Sequence, residues 1–143
     1  MNGVGSSCGV GVPRTRLAAM IVGGGGGERL GGVSKPDLVF GGVRLVDRVR
    51  CALGEVTGAG VVAIVPPSVR VPSGVTRALE DPPGGGPLAG IDAGLAALSV
   101  GADCWVIVVS VDCPGIADVL RCLLAEPLGI ACDGRILRGG DPE

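Results

Sequence analysis

Three segments of this chain are apolar almost without interruption: LAAMIV at Leu17–Val22, GVVAIV at 60–65 and WVIVVSV at 105–111. A strand with one wet face alternates apolar and polar residues. These segments do not, so each reads as a strand covered on both sides. A further strand is expected at 75–79, and another at 128–132. Between them lie helical patterns. Leu45, Val46, Val49, Ala52 and Leu53 share one face, with Asp47, Arg48 and Arg50 opposite and Gly54 near the end. Pro87 suits the first position of a helix over 88–98, whose inner face is expected to be Leu88, Ile91, Leu95 and Leu98. Residues 116–124 form the last expected helix. Residues 37–40 read as a short extended piece before a Gly41-Gly42 turn, and 29–32 as a turn of helix. The Gly/Ser-rich residues 1–15 read as a loose extension, leaving 16–143 as one domain.

Apolar strands alternating with helices predict an α/β fold, a mainly parallel sheet with helices on both faces. Such sheets bind ligands beyond the carboxyl ends of their strands. Three polar or glycine-rich segments each follow a predicted strand: VGGGGGERLGGVSK at 22–35, DPPGGGP at 81–87 and Asp112-Cys113-Pro114. They are therefore expected to meet along one edge of the sheet.

Composition narrows the chemistry at that edge. The chain has 143 residues, enough for one domain, and 47% are apolar, nearly all Val, Leu, Ala and Ile. It has no His, so a neutral-pH base must be a carboxylate, Lys or Cys, or the reaction must need no protein base. Phosphoryl and nucleotidyl transfer fit the last case, because positioning and charge neutralisation dominate there. A net charge of −2 without a basic run argues against a nucleic-acid partner. The six cysteines form no CxxC pair, which with the lack of His disfavours structural zinc and points to reduced, small apolar residues. No apolar run approaches the ~20 residues of a membrane span. Arg14 and Arg16 before LAAMIV faintly resemble a signal peptide, but that run is too short, so a cytoplasmic location is expected.

Seven of the fourteen residues in VGGGGGERLGGVSK are glycine, and Arg29 and Lys35 lie toward its far end. Bare backbone N–H groups leaving a buried strand can approach an anion, and two nearby cations suit a polyphosphate. Neither GxxxxGK[ST] nor GxGxxG is present, so the loop is neither a P-loop nor a dinucleotide fingerprint. A flexible connector is the alternative. Asp112, at the mouth of an apolar strand, offers a hard oxygen ligand for Mg2+ or, alternatively, a cap for the next helix. Asp81 can contact a ribose, a base or a metal-bound water, or simply form a turn before Pro82. GGGPLAG at 84–90 starts a helix and either brings backbone close to a ligand or packs two loops together. Cys113 lacks a nearby base and is not read as a nucleophile.

These segments resemble a known family. VGGGGGERLGGVSK resembles, position for position from Val22 to Lys35, the LAGGxxxRMGGxDK signature of molybdenum cofactor guanylyltransferases. GPLAGI at 86–91 is similar to their second signature, and VIVVSVDCP at 106–114 to their strand ending in a metal-binding Asp. The resemblance implies a Rossmann-like nucleotidyltransferase that moves GMP from GTP to molybdenum-bound molybdopterin and releases pyrophosphate. It implies that the backbone of Val22, Gly23 and Gly24 lies against the guanosine. Arg29 and Lys35 would face the phosphates, Asp81 would contact the nucleotide, and Asp112 would hold Mg2+. Implied partners are GTP, a molybdopterin-type acceptor and other cofactor-biosynthesis proteins or molybdoenzymes. The chain departs from the pattern at Val22-Gly23 in place of Leu-Ala, and at Ser34 in place of Asp. Val65-Pro66 also stands where members often carry an Asn. It ends at GGDPE, before further sheet and much of the acceptor pocket of family members, and so reads as C-terminally shortened. The alternatives are a cytidylyl- or other small-molecule nucleotidyltransferase and a nucleotide-binding remnant without turnover.

Overall fold

The computed structural model describes residues 12–23, 33–113, 115–126, 128, 134 and 136. The helical turn expected at 29–32, most of the strand expected at 128–132 and the first eleven residues lie outside that set. A 3-10 turn, Arg14–Arg16, leads into β1 (Leu17–Val22). The chain continues through a 3-10 turn (Lys35–Asp37), a small hairpin of β2 (Val39–Phe40) and β3 (Val43–Arg44), and α1 (Leu45–Gly54). Then follow β4 (Val61–Ile64), β5 (Val75–Ala78), α2 (Pro87–Leu98), β6 (Trp105–Ser110) and α3 (Ile116–Leu123).

β5, β4, β1 and β6 lie side by side in that order, and every pairing is parallel. β1 and β4 occupy the middle, and their unbroken apolar runs are buried on both faces, as the lack of alternation requires. α1 and α3 cover one face, where Val46, Val49, Leu53, Ile116 and Leu120 join Ala19, Ile21, Ala63 and Ile107 in the larger core. α2 covers the other, over Met20, Val62, Ile64 and Ala78. The expected α/β class with helices on both faces is the one observed.

Two expectations need correcting. Segment 105–111, the most apolar-looking strand, is at the sheet edge among the described residues, and Val108 on its α2 side is 46% exposed. α2 also buries only part of the inner face assigned to it, since Ile91 and Leu98 pack on the core but Leu88 and Leu95 do not. Leu88 is 80% exposed and Leu95 46%. The buried positions are Gly90 and Gly94, with Ile91, Ala97 and Leu98 packed beside them. A Cβ on Gly94 would come within 2.8 Å of Met20 Sδ, and one on Gly90 within 3.3 Å of Ile64 Cγ2. Glycines four residues apart on one helical face let the backbone rest on the strands, and this rotates Leu88 and Leu95 outward.

Candidate functional site

After β1 the chain adds β4 and β5 on one side, then crosses back to add β6 on the other. The direction of winding therefore reverses between β1 and β6, and the crevice beyond their carboxyl ends is where an open α/β sheet accepts a ligand. The pairing of these two strands extends one step past β6, because Val111 N–H donates to the Val22 carbonyl at 2.9 Å. On the other side of β1, Gly23 N–H donates to the Ile64 carbonyl at 3.0 Å. The Gly23 N–H is thus committed to the sheet. A side chain could not replace the glycine freely, since a Cβ would meet Pro36 Cγ at 2.7 Å and Val65 Cγ1 at 2.8 Å.

Lys35 and Asp112 meet at this crevice although 77 residues separate them. Lys35 Nζ donates to Asp112 Oδ2 at 2.8 Å. Asp112 follows β6 directly, while Lys35 opens the 3-10 turn whose buried Pro36 packs against Gly23. The Ser110 hydroxyl donates to Asp112 Oδ1, so each carboxylate oxygen has a partner. The Lys35 ammonium, foremost, and the Ser110 hydroxyl hold the Asp112 carboxyl below the usual carboxylate range. Both side chains remain more than two-fifths exposed, Lys35 at 43% and Asp112 at 44%, which leaves the pair open to an incoming ligand.

Asp81 lies on the same edge of the sheet, exposed, in the loop after β5. Three strand spacings, ~14 Å in all, separate its strand from β6, so the structure does not bring Asp81 together with the pair. Its neighbour Glu80 shapes that loop by accepting the Gly84 N–H at 3.1 Å. Gly86, at φ 84°, then turns the chain into α2, whose N-terminus faces this edge as well. Of the remaining expected site residues, Val22 and Gly23 end β1 beside the pair. Gly24 and Arg29 fall outside the described residues.

The sequence reading missed Ser110, Glu80 and Pro36 as parts of the site. Ser110 carried a signal, because it is the lone polar residue of its strand and stands two places before Asp112. Among the described residues no group of three or more His, Cys, Asp or Glu could cage a metal, and no helix is long and apolar enough to cross a membrane. Cys51, Cys104 and Cys122 are free thiols.

A Gly-rich segment follows β1 in sequence, and a Lys–Asp pair stands at the reversal point, where open α/β sheets bind ligands. The family model that matches the chain is the MobA-like NTP transferase domain, over residues 19–133. The chain belongs to this family. As a MobA-like NTP transferase domain it has a Rossmann-like nucleotidyltransferase fold and is of the nucleotidyltransferase class. No match to a curated protein or to a solved structure was found.

Proposed function

We propose that this nucleotidyltransferase transfers GMP from GTP to molybdenum-bound molybdopterin, with the Lys35–Asp112 pair at the centre of the reacting phosphates. The observation that carries this reading is the 2.8 Å ion pair placed where the sheet's winding reverses. The GPLAG segment supports a guanylyltransferase over its more distant relatives.

The residues fit a magnesium ion. Magnesium usually takes one or two carboxylates and keeps water and phosphate oxygens for the rest. Asp112 is a single exposed carboxylate whose Oδ2 already has a cation, Lys35, as its partner. Asp112 would hold the ion, which supplies charge neutralisation on the phosphates. The Lys35 ammonium would turn to the phosphate oxygens, where it would offset the negative charge that grows during transfer. The Ser110 hydroxyl keeps the Asp112 carboxylate turned toward the crevice throughout. The terminal phosphate oxygen of the acceptor attacks the α-phosphorus in line. The bond from that phosphorus to the bridging oxygen breaks, and pyrophosphate leaves. No protein base is required, which agrees with a chain that has no His. Arg29 and the backbone of Val22, Gly23 and Gly24 are assigned to the triphosphate and guanosine, and Asp81 to the nucleoside end.

A second reading keeps the chemistry and changes the base. It rests on Val65, which stands where family members often carry Asn and is buried, so its side chain offers no hydrogen bond to a base edge. Calorimetric titration with GTP, CTP and ATP in the presence and absence of Mg2+ separates the two. GTP is expected to bind tightest, in a Mg2+-dependent manner, and Asp112→Ala is expected to abolish the Mg2+ dependence. Tighter binding of CTP supports the second reading. Equal, weak binding of all three, untouched by the substitution, overturns both.

A further inference from the structure

We propose that Arg44 is the positioning residue that fixes Lys35 in the crevice, an inference that rests on the phosphate-binding reading of Lys35. Arg44 ends β3 and precedes α1, and its guanidinium joins three segments. Nη1 donates to Asp37 Oδ1 at 2.8 Å and to the Arg70 carbonyl at 2.9 Å. Nε and Nη2 grip the Asp47 carboxylate, at 2.7 Å to Oδ2 and 3.0 Å to Oδ1. The side chain is only 17% exposed. The Asp47 and Asp37 carboxylates hold its pKa above the ordinary arginine value.

Asp37 is the third residue of the turn that Lys35 begins. That turn closes through Asp37 N–H to the Ser34 carbonyl at 2.9 Å and Leu38 N–H to the Lys35 carbonyl at 3.1 Å. Pro36 between them has a fixed φ and is buried against Gly23. The backbone of Lys35 is thus anchored to the end of β1 through Pro36 and to α1 through Asp37 and Arg44. The pairing also neutralises a carboxylate two residues from the Lys35 ammonium. Without Arg44, Asp37 is left as an uncompensated carboxylate two positions along the chain from Lys35. A lysine at position 44 has no planar fork and cannot serve Asp37, Asp47 and the Arg70 carbonyl together.

The test is a double-mutant cycle read by calorimetric titration of GTP with Mg2+, alongside thermal melts of each variant. Losing one charge-assisted contact to phosphate makes Lys35→Ala weaker by about tenfold. Arg44→Gln is expected to weaken binding about fivefold, and Arg44→Lys to rescue it only in part. The Lys35→Ala, Arg44→Gln double variant should bind no more weakly than Lys35→Ala alone, because Arg44 acts through Lys35.

Asp37→Asn cuts only the arm to the turn. It should weaken binding about threefold with the same non-additivity, and it serves if Arg44→Gln does not fold. Asp47→Asn cuts only the arm to α1, and should lower the melting temperature while leaving affinity within about twofold. Additive losses in the cycle, or Arg44→Gln and Asp37→Asn at wild-type affinity beside a weakened Lys35→Ala, overturn the assignment to Arg44 alone. Lys35→Ala at wild-type affinity removes the phosphate-binding reading, and the assignment falls with it.

Discussion

The two faces of the sheet are covered by different means. On one, α1 and α3 set branched side chains such as Val49, Leu53, Ile116 and Leu120 into the side chains of β1, β4 and β6. On the other, α2 brings Gly90 and Gly94 down, and its backbone touches Met20 and Ile64 almost directly. Side-chain interdigitation leaves a cavity when atoms are removed, because the neighbours collapse only in part. Backbone contact through glycine leaves no room for an added one. The first face is expected to be sensitive to removal of atoms, and the second to their addition.

The largest expected effect comes from breaking the first face. Leu53 is fully buried. Leu53→Ala should cost ~3 kcal/mol in denaturant unfolding, as a cavity in a close-packed core does. On the second face the direction is reversed. Gly94→Leu should cost ~2 kcal/mol, since the new side chain must displace buried Met20. Leu88→Ala, at an exposed position of the same helix, should stay within ~0.5 kcal/mol. A large loss at Leu88 with none at Gly94 would mean that α2 presents the opposite face to the sheet.

The smallest effect separates both faces from the site edge. The pKa of Asp112 is lowered by Lys35 and Ser110 relative to its ordinary value of 3.8. Its contribution to stability is therefore complete above that value and is lost as pH falls through the folded-state value. Asp112→Asn should unfold slightly more easily than wild type near pH 6, and the gap should close on acidification below 3.8. A gap that widens on acidification contradicts the lowered pKa.

The central strands were legible because burial on both sides removes polar residues altogether, as at β1 and β4. The same logic failed for β6, because an apolar run does not reveal whether it stands in the middle of a sheet or at its rim. The inner face of α2 was half legible, in Ile91 and Leu98; Leu88 and Leu95 were misplaced because the glycines that make the contact carry no hydrophobic signal. Lys35 and Asp112 were each expected at the site, on motif grounds. Their direct pairing was not visible, since nothing local links positions 77 residues apart. Arg44 carried even less signal. A basic residue ahead of a helix reads as solvated surface until Asp37, Asp47 and the Arg70 carbonyl are seen to converge on it.

Pro36 against Gly23 makes the end of β1 a lever on the crevice. A methyl group added at Gly23 would meet Pro36 Cγ at 2.7 Å and Val65 Cγ1 at 2.8 Å, so the turn that carries Lys35 or the Val65 side chain must give way. A single small change at the strand end is thereby transmitted toward the ammonium that pairs with Asp112.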